Sequence, residues 1–377
     1  MSLVVDEHRS YLADPVRIDA FRRALRQIVR PGAVVADVGS GSGILGLLAC
    51  DAGAERVYSI EATGMIEVAR AIAARNGFAD RLRFIHAESG EVELPEPVDV
   101  LVCDQIGHFG FEAGLFGFVS DARRRFLKPD GAMIPARVCL QIVPVTAPEL
   151  AAAVRFWCER PAGFDMSPAH AWAANTGHPT RLEPDQCLGE PMVGVSVDAL
   201  GLTNEPLSLD VSLPIARRGV LDGIGGWFTA DLAPGVMLTN SPFSRDRIDR
   251  RNVYFPIDPI AVEPGDLLTV RMRIRPAEVV VSWRGEVTRA ERTLGSFSRS
   301  TLRGMLLSRD DLARQRPGYV PTLTPRGRAR MTVLELCDGA RPLAQVERAL
   351  FERHRDLFET PAEAAVFAAE VVTRYTR

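Results

Sequence analysis

A hydrophobic strand that ends in a glycine-rich turn and continues as a helix is the feature that most constrains the fold of this chain. Residues 34–48 read VVADVGSGSGILGLL, with Gly39, Gly41 and Gly43 in the turn. Glycines at such a turn let the backbone approach a ligand closely and adopt positive φ. The segment therefore predicts a nucleotide-like cofactor at the carboxyl end of a parallel strand.

The sequence around this turn predicts further units of the same kind. Short β-branched runs alternate with Ala-rich and Arg-rich helical stretches from Pro15 to about Phe126, a pattern typical of a parallel sheet with covering helices. Four strands are predicted, at residues 33–37, 56–60, 82–85 and 98–103. We therefore assign residues 1–135 to a Rossmann-like α/β domain.

The pattern changes after this first domain. Many short alternating runs, punctuated by Pro and Gly, fill residues 136–300 and predict an antiparallel β-barrel or sandwich. An inserted arm at about residues 149–185 interrupts them, because the sequence after Phe156 and Trp157 is proline-rich and lacks strand periodicity. Residues 301–377 become helical again and predict a small α-rich domain.

Composition argues against several classes of function. The net charge of −3 over 377 residues gives no basic field to hold phosphates, so a nucleic-acid partner is not expected. The six cysteines are scattered without zinc-ligand spacing, which predicts a reduced, cytoplasmic protein with no metal site. No apolar run is long enough to span a membrane, and residues 1–30 do not resemble a signal peptide.

The charge at the first strand end indicates which cofactor the turn holds. Gly41, Gly43 and Gly46 match the dinucleotide pattern G-x-G-x-x-G, so a nicotinamide-dependent oxidoreductase has to be considered. Asp37, however, would repel a pyrophosphate, whereas S-adenosylmethionine (SAM) carries a cationic amino group and no phosphate. The sequence thus favours SAM over NAD.

Two further acids follow the next predicted strands. Glu61 ends the second strand, where a carboxylate accepts hydrogen bonds from both ribose hydroxyls of a bound nucleoside. Glu88 ends the third, near the expected position of an adenine. A solvated carboxylate explains either one alone, but acids at three successive strand ends predict a SAM site.

At this point the sequence resembles the protein arginine methyltransferase family over about residues 8–298. Residues 8–17, HRSYLADPVR, are similar to the family's N-terminal H-x-x-M-L-x-D-x-x-R helix, with Tyr11 in place of the Met. The resemblance implies that His8 and Tyr11 cap the cofactor. It also implies that Arg17 pairs with the methionine carboxylate, to which a guanidinium offers two parallel donors.

The family's catalytic feature is a loop with two glutamates that bind the acceptor guanidinium. Here it corresponds to residues 103–114, CDQIGHFGFEAG. The resemblance implies that Asp104 and Glu112 hold the acceptor and aim a nitrogen lone pair at the methyl group. His108 lies between them and is interpreted either as a general base for a neutral nucleophile or as a hydrogen-bonded loop residue.

The sequence departs from the family pattern on the acceptor side. Asp104 is one methylene shorter than Glu, and the loop from it to Glu112 is one residue shorter than usual. The family's Thr-His-Trp brace is replaced by Arg247-Ile-Asp249. Because the cofactor side is intact, we expect the cofactor chemistry to be retained and the methyl acceptor to differ from a histone-like arginine.

Two further resemblances concern assembly. Phe156-Trp157 and residues 163–167 are similar to the family's dimerisation arm, which implies a homodimer; the alternative for these aromatic side chains is an ordinary place in the core. Residues 303–377, especially LELCDGARPLA at 334–344, resemble small winged-helix domains of the PqqD type, which capture leader peptides by strand addition. The alternative is a helical cap that binds nothing.

These observations together predict a SAM-dependent methyltransferase that acts on a peptide or protein side chain, with arginine as the suggested acceptor. Two alternatives stay open from the sequence. One is a scaffold that binds SAM and peptide but has lost catalysis, which the altered acidic loop makes credible. The other, which Asp37 disfavours, is an NAD-dependent oxidoreductase.

Overall fold

Five parallel strands form the first sheet in the computed structural model, which describes residues 4–376. They are β1 (Val34–Val38), β2 (Arg56–Glu61), β3 (Leu82–His86), β4 (Val98–Val102) and β5 (Leu127–Ile134). Their order in the sheet is β3-β2-β1-β4-β5. The central strand β1 is buried along its whole length, as expected of a parallel strand covered on both faces. The four predicted strands and the Rossmann-like sheet are thereby confirmed.

Helices cover this sheet and precede it. They are α1 (Val4–Leu12), α2 (Pro15–Ile28), α3 (Ile44–Asp51), α4 (Met65–Arg75) and α5 (Ser120–Phe126). Helix α2 begins where Asp14 accepts a hydrogen bond from the backbone N–H of Arg17 at 3.1 Å, with Pro15 in its first turn. It buries Phe21 and Leu25 completely, so α2 is fixed against the core and holds α1 close to the sheet edge.

The strand order brings two loops together at one edge of the sheet. Strand β1 lies between β2 and β4, so the chain changes its winding direction between β1 and β4. Asp37 is paired in register with Val102, which places the ends of the two strands side by side. Ligands of open α/β sheets bind at the carboxyl ends of the strands at such a reversal. The glycine-rich turn and the acidic loop therefore face the same crevice.

The second half of the chain forms two antiparallel sheets, as predicted. The additional strands are β6 (Arg137–Val145), β7 (His178–Thr180), β8 (Met192–Asp198), β9 (Leu207–Pro214), β10 (Gly219–Ala233), β11 (Val236–Thr239), β12 (Asn252–Val262), β13 (Leu267–Arg275), β14 (Val280–Arg289) and β15 (Arg292–Ser300). One sheet has the order β7-β12-β10-β6-β8, with β11 on β10, and the other has the order β15-β14-β13-β9. In β13, buried Val270 and Met272 alternate with exposed Arg271 and Arg273, which is the pattern of a half-buried strand.

One continuous hydrophobic core joins the parallel sheet to the antiparallel sheets. The ring of Phe255 lies 5.4 Å from that of Phe109 in the loop after β4 and 5.2 Å from that of Trp283 in β14. The chain accordingly divides into two compact units, one ending at Met305 and the other beginning at Leu306. The predicted α/β and β domains share the first unit.

The predicted arm contains short helices and exposed aromatic side chains. Its helices are α6 (Pro148–Arg155) and α7 (His170–Ala174). Trp157 is 37% exposed, Phe164 is 67% exposed and Trp172 is 40% exposed. These side chains are therefore not part of the core. The alternative interpretation, which placed Trp157 and Phe164 in the core, is wrong.

The unit from Leu306 onward is helical and has a core of its own. Its helices are α8 (Arg309–Arg314), α9 (Pro325–Leu336), α10 (Leu343–Arg353) and α11 (Pro361–Tyr375). Val333, Leu350 and Phe367 are among the side chains buried between them. The α-rich prediction is confirmed, but residues 306–376 contain no strand, so the winged-helix prediction is not. Between residues 4 and 376 no helix has the length and apolar character needed to cross a membrane.

Candidate active site

The glycine-rich turn between β1 and α3 allows the N-terminal helix to approach it closely. Gly39, Gly41 and Gly43 have φ values of 73°, 52° and 77°, in the left-handed region that favours glycine. A Cβ added at Gly41 would lie 2.3 Å from Cε1 of His8. Glycine is thus required here both for the backbone conformation and for the contact with α1.

A cavity of about 310 Å³ lies between this turn, α1 and the loop after β4. The sequence-predicted residues that line it are His8, Tyr11, Arg17, Gly39, Gly41, Asp104, His108 and Glu112. Gln105 and Arg250, which the sequence did not single out, line it as well. The structure therefore brings the predicted cofactor cap and the predicted acidic loop to one cavity.

A second cavity, of about 190 Å³, adjoins the first. Glu61 and Glu88 line it, together with Gly39 and Gln105, which line both cavities. The Nε2 of Gln105 donates to the backbone oxygen of Gly39 at 3.5 Å, so the Gln105 side chain lies between the two spaces. SAM has an amino-acid part and a nucleoside part, and two adjoining cavities fit a ligand of this kind.

Asp37 and Gly43 are not among the residues that line these cavities within the described chain. The carboxylate of Asp37 is completely buried behind the turn, where Oδ2 accepts from the backbone N–H of Gly46 at 2.9 Å. Burial raises its pKa to about 7. Near neutral pH Asp37 is thus only partly charged, which weakens its expected repulsion of a pyrophosphate.

Glu61 fixes the turn through two backbone groups. Its carboxylate accepts from the N–H of Gly41 at 2.9 Å and from the N–H of Thr63 at 2.8 Å. Nearby, Oδ1 of Asp37 and Oγ of Ser40 are buried without a hydrogen-bond partner among residues 4–376. Buried polar atoms are rarely left in this state. Ser40 lines the first cavity, so its unpaired hydroxyl fits a polar ligand such as SAM.

Asp104 lies between two arginines. Its Oδ2 is 2.5 Å from Nε of Arg17 and 3.0 Å from a terminal nitrogen of Arg250, and all three side chains are at most 11% exposed. Burial alone would raise the pKa of Asp104, but the charges of Arg250 and Arg17 outweigh burial and hold that pKa below its ordinary value. Asp104 is therefore a carboxylate at neutral pH.

The guanidinium of Arg250 is held from several sides. Its Cζ lies 5.8 Å from the centre of the Tyr11 ring and 5.8 Å from that of the Phe228 ring. Its Nη1 donates to the backbone oxygen of Gly107 at 3.5 Å and to Oδ1 of Asp104 at 3.4 Å. A carboxylate combined with aromatic faces is an arrangement that binds guanidinium groups.

The carboxylate of Glu112 binds backbone N–H groups of its own loop. Its Oε1 accepts from the backbone N–H of His108 at 2.6 Å and of Phe109 at 2.8 Å, and Oε2 accepts from that of Phe111 at 3.2 Å. The Nδ1 of His108 is buried and has no hydrogen-bond partner in the described part of the chain. Both residues line the cavity, and the carboxylate of Glu112 is bound by three backbone N–H groups of its own loop.

The segment that replaces the Thr-His-Trp brace still contacts the site. Oδ2 of Asp14 accepts from the backbone N–H of Asp249 at 2.7 Å, and Asn240 donates to the backbone oxygens of His108 and Arg251 at 2.8 and 2.7 Å. No sequence motif or spacing connects Arg250 with Asp104, which is 146 residues away, so Arg250 was not predicted.

Comparisons with known proteins agree with this arrangement. The family model described as ribosomal protein L11 methyltransferase (PrmA) matches residues 22–134. Arginine N(omega)-methyltransferase of Streptomyces achromogenes subsp. streptozoticus is 31% identical over 273 residues, which cover 70% of this chain and 75% of that protein. Protein arginine N-methyltransferase 6 of Xenopus laevis is 29% identical over 290 residues, with coverages of 73% and 85%.

Comparison with a solved structure supports the same family. The crystal structure of Arabidopsis thaliana protein arginine methyltransferase 10, described as a uniquely open conformation, has a TM-score of 0.68 and 27% identity, and the match covers 78% of this chain and 96% of that one. These relatives are methyltransferases, so neither the oxidoreductase nor the scaffold interpretation is retained. The chain belongs to the protein arginine methyltransferase family of SAM-dependent methyltransferases.

Proposed function

We propose that this methyltransferase transfers a methyl group to a guanidinium nitrogen of arginine in a peptide or protein. The supporting observation is the environment of Arg250, whose guanidinium pairs with Asp104 between the rings of Tyr11 and Phe228 in the cavity beside the glycine turn. A place that accommodates one guanidinium has the carboxylate and aromatic faces that an acceptor arginine needs.

Each part of SAM has a candidate partner around the two cavities. We assign Arg17 to the methionine carboxylate, Glu61 to the ribose hydroxyls and Glu88 to the adenine. Asp37 contributes negative charge behind the amino group, because a nearby ammonium favours its ionised form. The other proposed cofactor-binding residues form the turn and its cover: His8, Tyr11, Gly39, Gly41 and Gly43.

The acidic loop orients the acceptor. When bound, SAM supplies an electrophilic methyl group. Its sulfur would keep the electron pair of the sulfur–carbon bond, so that S-adenosylhomocysteine is the second product. Asp104 and Glu112 hold the acceptor guanidinium so that one nitrogen points toward the cofactor cavity. The nitrogen loses a proton as its bond to carbon forms. His108, which lines the same cavity and whose buried Nδ1 has no hydrogen-bond partner among residues 4–376, is the proposed acceptor of that proton.

The acceptor is proposed to be an arginine within a chain rather than the free amino acid. The Xenopus relative is by its name a protein arginine methyltransferase, whereas the name of the Streptomyces relative refers to arginine alone. The sequence of the helical unit beyond Met305 resembles PqqD-type leader-peptide binders, which favours a peptide, but the unit contains no strand among residues 306–376 for strand addition. We propose that a helical surface of this unit binds the peptide.

The central test combines two variants of the acidic loop with a matched control. Asp104→Asn and Glu112→Gln each remove one negative charge, and each should lower methyl transfer from labelled SAM to arginine peptides about a hundredfold or more. SAM affinity, measured by calorimetry, should stay nearly unchanged in Glu112→Gln. Asp104→Asn also removes the carboxylate that pairs with Arg17, so its SAM affinity reports on the role of Arg17. Asp80→Asn, at an exposed site, should behave as wild type. Full activity in both loop variants would show that these residues do not hold the acceptor.

We also propose that the enzyme is a homodimer that pairs through the arm. Phe156, Trp157 and Phe164 are exposed on this segment, the rings of Phe156 and Trp157 lie 5.7 Å apart, and exposed groups of large apolar side chains mark interaction sites. Two copies of the chain would shield these side chains from water. The location of the arm outside the core makes it free to contact a partner.

A further inference from the structure

Arg250 is the residue of the cavity that the proposed roles leave unexplained. We propose that it is a built-in competitor for the acceptor, which occupies the place on Asp104 that an acceptor guanidinium must take. Arg250 must therefore leave Asp104 before methyl transfer. The inference rests on the proposed arginine-directed activity, because a competitor of this chemistry matters only for a guanidinium acceptor.

The contacts of Arg250 are those expected of a bound arginine ligand. Its two terminal nitrogens reach both oxygens of Asp104, at 3.0 Å to Oδ2 and 3.4 Å to Oδ1. The rings of Tyr11 and Phe228 lie on its guanidinium at 5.8 Å each. No other guanidinium can take these positions while Arg250 holds them, because the same oxygens and the same ring faces are in use.

The charges around Asp104 also indicate that Arg250 must be displaced. Arg17 occupies Oδ2 of Asp104 from the other side through its Nε, so one carboxylate already faces two guanidinium groups. Arginine does not lose its proton in proteins. An acceptor arginine that entered beside both would add a third positive charge, and like charges at such distances repel. Displacing Arg250 removes one positive charge and frees the carboxylate of Asp104 for the acceptor guanidinium.

The backbone on either side of Arg250 is anchored, so the displacement belongs to its side chain. The N–H of Asp249 is bound by Asp14 at 2.7 Å, and the backbone oxygen of Arg251 accepts from Asn240 at the same distance. A long side chain on fixed backbone can swing by rotation about its own bonds without loop opening. Substituting the side chain alone is therefore a sufficient test.

The test compares Arg250→Gln and Arg250→Met with Arg251→Gln. Both Arg250 variants remove the competing charge, and the Met variant keeps an apolar chain between the two rings. Arg251 is the exposed neighbour and serves as the matched control. Initial rates are measured with the peptide Gly-Gly-Arg-Gly-Gly, and SAM affinity is measured by calorimetry. Unfolding temperatures identify any variant that fails to fold, in which case the other variant decides.

We expect the acceptor KM of the Arg250 variants to fall about tenfold or more, with kcat and the Kd for SAM within about threefold of wild type. Arg251→Gln should match wild type. An unchanged or higher KM, or a loss of kcat, would overturn the inference, because Arg250 would then help the acceptor or the chemistry.

The two proposals fail in different ways. If neither wild type nor the Arg250 variants methylate any arginine acceptor, the proposed function is wrong. The competitor role is then decided by calorimetric titration of ethylguanidinium into protein saturated with S-adenosylhomocysteine. Tighter binding to Arg250→Gln than to wild type supports the role, and equal binding rejects it.

Discussion

Asp37 is a carboxylate whose burial makes stability depend on pH. Its folded-state pKa is raised to about 7 by desolvation, whereas the pKa of an aspartate in an unfolded chain is about 4. Between these values the folded protein keeps a proton that the unfolded chain has released. The contribution of Asp37 to stability is therefore complete below about pH 4 and is lost as the pH rises through about 7.

We expect Asp37→Asn to remove this dependence. The free energy of unfolding of the ligand-free wild type, relative to the variant, should fall by up to about 4 kcal/mol between pH 4 and pH 8. Urea unfolding at several pH values measures the difference. Asp80→Asn, at an exposed site, should run parallel to wild type. The same pH slope in wild type and Asp37→Asn would contradict the burial of a titrating carboxylate at this position.

At the scale of elements, the arm decides assembly. Trp157 and Phe164 are exposed, so charged side chains are tolerated there in a monomer but not in an apolar interface. The double change Trp157→Glu with Phe164→Glu should convert the proposed dimer of the wild type to a monomer in light scattering coupled to gel filtration. Met237→Glu, an exposed residue of β11 outside the arm, should leave the dimer intact.

A monomeric wild type would refute the dimer at once. A double variant that stays dimeric would place the interface elsewhere on the molecule. SAM binding should survive in the double variant in either case, since the arm side chains are absent from the lining of both cofactor cavities within the described chain.

Elements with strong local signals were predictable from the sequence. Residues 301–377 were predicted to be α-rich, and their last helix runs from Pro361 to Tyr375, because Thr360 caps it and a proline fits its first turn. The short helices α6 and α7 of the arm were not predicted. They are only eight and five residues long, and helices this short are not stable alone, so packing against the rest of the unit decides their conformation.

At the scale of the whole molecule, the two units have separate cores. Leu350 is completely buried in the second core, whereas Leu343 on the same helix is 38% exposed. Leu350→Ala should cost the C-terminal unit about 2–5 kcal/mol. In calorimetry its unfolding transition should shift down in temperature, and the SAM affinity of the full chain should stay unchanged. Leu343→Ala is the matched control and should have little effect.

The same variant tests the proposed peptide-binding role of this unit. Under conditions that unfold only the weakened unit, the KM of Leu350→Ala for a peptide acceptor should rise, while that for free arginine should not. A KM that is unchanged for both acceptors would favour a cap that binds nothing. A loss of SAM affinity would show that the two units are not independent.

The sequence by itself determined the parallel sheet, the glycine turn and the identity of several residues that line the cavity. These features follow from local rules: strands buried on both faces need apolar runs, and a turn with positive φ that contacts another helix needs glycine. Glu61 was predictable for a related reason, since the carboxyl ends of parallel strands meet at one edge. Asp104 and Glu112 were predicted only from the resemblance of their loop to that of the family.

Only the tertiary structure decided how the charges of the site are paired. Arg250 is 146 residues from Asp104 in the chain, and no periodicity or motif connects them. Their contact depends on the antiparallel sheets packing against the parallel one through Phe109 and Phe255. Burial of Asp37, which sets its pKa, likewise arises from packing. Pairing and desolvation are properties of three-dimensional neighbours, and local sequence does not encode which neighbours those are.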